Sequence, residues 1–337
     1  MRMKRNVLTL FLGLWTLSHA TAAAPKELIS KRANLAGSDS AAVLWHDPAD
    51  ITSRDLFYGA GGKEHEPGGS FTFVKEDSSA SNPKFVIRDE NGVEWKVKLG
   101  AEVHSETAAT RLVWAVGYFT DEDYFIPTLH VANMPKLHRG QKMIAADGSI
   151  PNARLERKLK GEDKGGIWKW RRNPFEGTRE FDGLRVMMAL VNNWDLKDVN
   201  NAIYSDDLGK AYVVTDLGAS FGSPGFAFPA SKSRSNLETY RSSGFIAKVK
   251  PEYVDFKTPA RPALVRAVAL PDFVGRLRMR SIGRKISREH AKWIGQILTR
   301  LSPEQIRSAF RGAGYSAEEV EGFSKIVETR IAQLNEL

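Results

Sequence analysis

Between residues 57 and 99 apolar and polar positions alternate in short runs punctuated by glycines. Phe71 and Phe73 fall on one face of a strand that follows Gly68 and Gly69. Residues 84–88 and 93–99 alternate again on either side of Asn91-Gly92, a dipeptide suited to a tight hairpin turn. In the second arm Val93, Trp95, Val97 and Leu99 point one way and Glu94, Lys96 and Lys98 the other, because successive side chains leave a strand on opposite faces. The pattern predicts a small antiparallel sheet. Gly100 closes it, Ser105 is the expected N-cap of a helix striped by Ala109, Leu112, Val113 and Val116, and Gly117 supplies the stop. A further strand is expected over 124–132. The polar, basic stretch from Lys136 onward reads as a linker or insertion that reaches residue 180.

The second half changes period. Phe181, Leu184, Met187, Met188 and Val191 recur at helical spacing, as do Ala291, Trp293, Ile294, Ile297, Leu298 and Leu301. Ser302 to Gln305 and Ser316 to Glu319 each match a capping box, which places two more helix starts near the end. Strands followed by helices define an α+β class, with a sheet and one helix in 56–135 and a mainly helical part in 181–337. Residues 25–55 lack a strong period and read as an N-terminal extension.

Composition narrows the function classes. The 337 residues are 42% hydrophobic, enough for a full core, and include no cysteine. Disulfide scaffolds, thiolate metal sites and cysteine nucleophiles are thereby excluded. The formal charge of +9 is a mild basic bias without a specific nucleic-acid signature. Residues 1–24 join Arg2, Lys4 and Arg5 to an apolar run from Val7 to Leu17 and to Ala20, Ala22, Ala23 and Ala24, the organisation of a cleavable signal peptide. That run is shorter than the ~20 residues of a spanning helix. The expected product is exported, to the periplasm or cell envelope.

Candidate chemistry begins directly after the helical run that ends at Val191. The segment NNWDLKDVNN, residues 192–201, sets Asp195, Lys197 and Asn200 in the spacing DLKxxN. Two short strand patterns flank the polar turn 205–211, and the second runs into Asp216-Leu217-Gly218. Helix, polar loop, hairpin and Asp-Leu-Gly in this order resemble the protein-kinase-like superfamily. Asn193 and Trp194 stand where HRD would require His and Arg, and neither an APE segment nor a GxGxxG pattern is present. The short step from Lys98 to Glu106 and the DLGASFG ending look more like the atypical branches, the HipA-type and phosphatidylinositol kinase-like proteins.

The resemblance implies a two-lobed fold with Mg2+ and ATP in the cleft. Asp195 would accept or orient the acceptor proton, Lys197 would lie near the transferred phosphoryl, and Asn200 and Asp216 would hold magnesium. Lys98 would hold the phosphates with Glu106 as its ion-pair partner; Lys96, on the same face, is the rival for that role. Gly59, Gly61 and Gly62, or alternatively Gly68 and Gly69, would cover the phosphates through backbone N–H groups. Phosphoryl transfer asks for this combination, since the protein supplies mainly cations, fixed charge and alignment. The expected function is an ATP-dependent phosphotransferase acting on a protein, lipid or small molecule. A pseudokinase serving as a nucleotide-binding module, and a nucleotidyl transferase, use the same residues.

Taken singly these residues have duller readings. Asp195 and Asn200 could cap turns and Lys98 could be a solvated strand residue; their joint order carries the resemblance. His65 and His104 lack paired-ligand spacing and read as surface or loop residues, and Trp168 and Trp170 read as packing. The run 276–285 holds five cations, either a solvated face or a contact for anionic lipid or an acidic partner.

Overall fold

The computed structural model describes residues 42–78, 82–158, 163–206, 209–222, 235–258 and 279–337. The expected signal peptide, the first part of the extension and the start of the basic run lie outside them. After a two-residue strand β1 (Ala42–Val43), the chain builds a sheet from β2 (Phe71–Asp77), β3 (Lys84–Asp89), β4 (Glu94–Leu99), β5 (Asp123–Leu129) and β6 (Ile150–Arg157). Its order is β2-β3-β4-β6-β5 and all pairings are antiparallel. The β3–β4 turn forms where Asn91-Gly92 predicts it. Gly92 takes a φ of +78°, and the Asp89 carboxylate accepts from the Asn91 and Val93 amides at 3.0 and 2.9 Å and from Trp95 Nε1 at 2.9 Å.

The sheet has two unlike faces. Phe85, Ile87, Trp95, Val97, Leu99 and Leu155 pack with Leu137 and Ile150 into one apolar core. The opposite face carries Lys84 across from Lys98, Lys98 across from Arg154, and Lys96 across from Glu156. The stretch expected to be a linker therefore needs correction, because it contains β6, which lies between β4 and β5. Its period of two was masked by Arg154 and Glu156, charged residues on a face that is buried rather than solvated.

The helix α1 (Val103–Ala115) joins this sheet to the rest of the molecule. Ala108, Ala109, Leu112 and Val113 are buried in the same core as the helices of the second half. Those are α2 (Arg179–Leu190), α3 (Leu237–Ser242), α4 (Arg288–Leu298), α5 (Pro303–Arg311) and α6 (Ala317–Asn335). Both capping boxes form, with Ser302 and Gln305 opening α5 and Ser316 and Glu319 opening α6. At the centre Leu184, Met187 and Met188 of α2 are fully buried, each contributing about 1.5–3 kcal/mol.

Strands β7 (Asp163–Gly166), β8 (Asn201–Asp206) and β9 (Gly209–Val214) form a second sheet of order β1-β9-β8-β7, with β1 parallel to β9. A third, small sheet orders β10 (Ile246–Val249), β11 (Tyr253–Phe256) and β12 (Ile286–Ser287). The class is thus α+β, an antiparallel-sheet region followed by a mainly helical one. Among the described residues no helix is long and apolar enough to cross a membrane.

Candidate active site

Lys98 ends β4 with only 3% of its surface exposed. Gly100, at a φ of +102°, turns the chain sharply into α1, so the helix returns its first carboxylates toward the strand it follows. Lys98 Nζ lies 2.5 Å from Glu106 Oε2, 3.0 Å from Glu102 Oε2 and 2.8 Å from Asp216 Oδ1. Burial alone would drive the lysine toward its neutral form, but Glu106, Asp216 and Glu102 outweigh it and hold the ammonium charged. For Asp216 burial pushes upward and the charge and hydrogen bond of Lys98 prevail, leaving its carboxyl below the ordinary range.

The other wall comes from two loops stitched together. Helix α2 ends where Asn192 adopts a left-handed φ of +57° and the Asn193 amide donates back to Met188 O at 2.9 Å, a C-terminal motif usually given to glycine. The loop that follows folds on itself. Asp195 N donates to Asn193 Oδ1 at 2.9 Å and Asn200 Nδ2 to Asp195 O at 2.7 Å. Thr215 N and Oγ1 both donate to Asn200 O, at 3.1 and 2.9 Å, and Trp194 N donates to Ala219 O at 3.1 Å. Asp216, at a φ of +52°, then turns its carboxylate toward Lys98. A Cβ at Gly218 would come within 2.8 Å of Glu102 Cβ, so only glycine lets this loop approach α1.

Lys98, Glu106, Asn200 and Asp216 therefore line one cleft of about 370 Å³. The geometry also separates the two lysines, because Lys96 Nζ pairs with Glu156 Oε1 at 3.0 Å and Lys98 meets Glu106. Asp195 and Lys197 are not among the residues that line the cleft; they pair with each other at 2.8 Å in the loop that bears Asn200. Asn200 and Asp216 are hard oxygen donors of the kind magnesium takes, and each keeps one carbonyl or carboxylate oxygen without a protein partner among the described residues. The carboxylate oxygens of Glu102, Glu106 and Asp216 also lie within 4.8 Å of one another, gathered by the Lys98 ammonium.

Two expectations need correction. Gly59, Gly61 and Gly62 are not at the cleft. They form a short turn packed on α1 and β5, where a Cβ on Gly59 would stand 3.1 Å from Arg111 Cγ, one on Gly61 would strike the Tyr124 hydroxyl, and Tyr124 Oη donates to Gly62 O at 2.8 Å. Their lack of side chains serves close packing rather than a phosphate cradle, and Gly68 and Gly69 are also absent from the cleft lining. Ser105 does not cap α1, which begins at Val103; its hydroxyl donates to Gly218 O at 2.6 Å and ties the helix to the Asp216 loop. His65 contacts Glu122 at 3.0 Å, His104 contacts the Ala313 carbonyl at 2.8 Å, and Trp168 and Trp170 are buried edge to face.

Sequence reasoning missed Lys84, Glu102, Asp121, Arg154 and Glu156. Arg154, 2% exposed, sits 2.7 Å from Asp123 Oδ2, 3.0 Å from Glu156 Oε2 and 3.5 Å from Glu106 Oε1. Burial and then Glu156 push Asp121 up to about 8; Glu156 stays at about 2 because Lys96 and Arg154 overcome its burial. Alternation in ARLER, residues 153–157, was the available signal for Arg154 and Glu156. Lys84 forms no ion pair among the described residues, and burial followed by repulsion from Lys96 and Lys98 lowers its pKa.

No protein-family model and no curated protein matches this chain. Among solved structures, the proinflammatory kinase CtkA of Helicobacter pylori is similar at a TM-score of 0.45 and 13% identity, over 80% of this chain and 98% of that one. A Golgi casein kinase is similar at 0.32 and 12%, over 84% and 78%, and the amicoumacin kinase hAmiN at 0.21 and 9%, over 91% and 93%. At these values the geometry of the site itself has to carry the functional reading.

Proposed function

We propose that the chain is an ATP-dependent phosphotransferase of the atypical kinase kind, working on Mg-ATP. The observation that carries this reading is the contact of Lys98 with both Glu106 and Asp216, three residues from separate elements, in the same cleft as Asn200. Lys98 holds donor phosphates, and Glu106 with Arg154 fixes its position. Asp195, braced by Lys197 and by the Asn193 amide oxygen, takes the acceptor proton. Asn200 and Asp216 would hold magnesium, which supplies charge neutralisation at the phosphates when bound. The eight-residue step from Lys98 to Glu106 favours the HipA-type or phosphatidylinositol kinase-like branch. The leader residues favour an exported enzyme, and sequencing the N-terminus of the envelope fraction tests that.

The direct test incubates the purified mature chain with magnesium and γ-labelled ATP. Expected is release or transfer of label, with Asp195→Asn lowering turnover by about 10² to 10⁴ while nucleotide affinity stays within about threefold. Unchanged turnover in that variant contradicts the role of Asp195, and no ATP binding by the wild type contradicts the proposal. ATP binding without turnover on any acceptor instead selects the pseudokinase reading, which Asn193 and Trp194 in place of His and Arg favour.

A further inference from the structure

Between Ile167 and Arg171 exposed and buried residues alternate. Trp168 and Trp170 are 3% and 6% exposed, whereas Ile167, at 45%, and the side chains of Lys169 and Arg171 face solvent. The tryptophans are the anchors of this strip, large aromatic side chains that carry much of the local burial. Trp168 Nε1 donates to Val213 O at 2.8 Å, and the two rings meet edge to face with their centres 4.9 Å apart. Arg172 extends the exposed row in a left-handed backbone, at a φ of +76°, a conformation that costs a non-glycine residue free energy and persists only where neighbours hold it. The Glu176 carboxylate does so, accepting from the Arg172 and Asn173 amides. A merely solvated run of charge needs neither buried anchors nor a strained backbone.

The strip is fastened to the loop that carries Asp195. Trp170 N donates to Asp198 Oδ1 at 3.0 Å and Asn201 Nδ2 donates to Trp168 O at 3.2 Å. Lys169 is thus bracketed by the chain neighbours of Val199 and Asn200, which line the cleft. Val199 is itself 61% exposed. On the far side Arg171 donates to Ser281 Oγ, inside the basic run 276–285. Three cations therefore stand in a fixed relation to Asp195, beside two exposed branched aliphatic side chains. An extended polypeptide offers its own side chains at the same two-residue repeat, ~7 Å, a match that a lipid headgroup lacks.

We infer that residues 167–172 are the docking strip for the phosphoryl acceptor and that the acceptor is an acidic polypeptide segment. Its carboxylates meet Lys169, Arg171 and Arg172, and an apolar residue near its acceptor hydroxyl meets Val199. This names the substrate class of the site proposed above and rests on the phosphotransferase reading. In the transfer, the bond from the bridging oxygen to the γ-phosphorus breaks and a bond from the acceptor hydroxyl oxygen to that phosphorus forms. The hydroxyl proton passes to Asp195, and ADP leaves.

The test gives the full chain Mg-ATP labelled at the γ-phosphate and peptides that carry one serine, threonine or tyrosine among aspartates and glutamates, among alanines, or among lysines. Expected is a kcat/KM about tenfold higher for the acidic than for the alanine peptides, expressed in KM, the sum of exposed ion pairs of ordinary strength. The preference should fade with added salt, because surface charges are screened beyond ~8 Å at 0.15 M. Lys169→Glu/Arg171→Glu should reverse it in favour of the lysine peptides, with Mg-ATP affinity unchanged within about threefold. Lys169→Glu alone should narrow it by about threefold, which keeps the test should the double variant not fold. Equal use of the three peptide sets, a preference that survives charge reversal, or label on phosphatidylinositol vesicles in place of peptide overturns the inference and leaves the phosphotransferase reading standing. Mg-ATP bound with no label on any acceptor overturns the inference and selects the pseudokinase reading. No binding of Mg-ATP overturns both.

Discussion

Two buried cations, one in the helical region and one at the sheet cleft, are satisfied in opposite ways. Arg330 of α6 is 3% exposed, and its guanidinium donates to the carbonyls of Ala189, Leu190, Tyr240 and Ser243 and to Ser243 Oγ, between 2.8 and 3.2 Å. It stacks 4.1 Å from the Tyr240 ring and satisfies carbonyls at the end of α2 that the helix itself leaves orphaned. Neutral dipoles on fixed backbone use its donors. Lys98, equally buried, is held by three carboxylates, and the side chain of one of them, Asp216, is 42% exposed. A cation held by backbone dipoles braces the fold. One held by carboxylates that border a cleft can exchange partners with an incoming metal or phosphate.

Lys98→Met is expected to give the largest effect. Turnover should fall by about 10² to 10³, and the stranded carboxylates should cost about 3–5 kcal/mol in urea denaturation. Arg330→Met should cost roughly 3 kcal/mol of stability by orphaning several carbonyls, yet leave the turnover of the folded fraction within about threefold. If the folded Arg330 variant loses turnover as Lys98→Met does, the contrast between brace and site fails. Ser105→Ala removes the hydroxyl that ties α1 to Gly218, and about 1 kcal/mol of stability together with a few-fold loss of turnover sharpens the contrast.

The smallest effect concerns pH. Asp121 binds its proton more tightly in the fold, up to about 8, than in the unfolded chain. From about pH 4 to 8 the unfolded chain has released a proton that the folded one keeps, so stability falls as pH rises, and Asp121→Asn should flatten that slope in pH-resolved denaturation. Glu156, held at about 2, acts with the opposite sign, its contribution fading as pH drops from about 4.5. The two neighbours titrate as a pair, so the measured slope belongs to both.

The pairing of Lys98 with Glu106, and the gathering of Asn200 and Asp216 in the same cleft, were legible in sequence because strand, helix and loop occur in an order that few folds share. Its other contacts were not. Arg154 and Lys84 lie on a strand face that reads as solvated by its charges, and only the helix and loops laid over that face show it to be buried. Ser105 was misread because serine beside the start of an apolar stripe gives the same signal whether it caps the helix or bonds a distant carbonyl. Gly59, Gly61 and Gly62 signal a backbone that must pack closely, without saying against what. Arg330 had no signal at all, since its partners are carbonyls from α2 and from the residues around α3.

Thermal unfolding with and without saturating Mg-ATP, on the wild type and on Asp216→Ala, shows whether the cleft takes a metal-bound nucleotide through Asp216. A ligand that binds only the folded state at a hundred times its dissociation constant adds about 2.7 kcal/mol. An upward shift of several degrees is expected in the wild type and almost none in the variant. Equal shifts in both, or none in either, would refute binding of a metal nucleotide through Asp216.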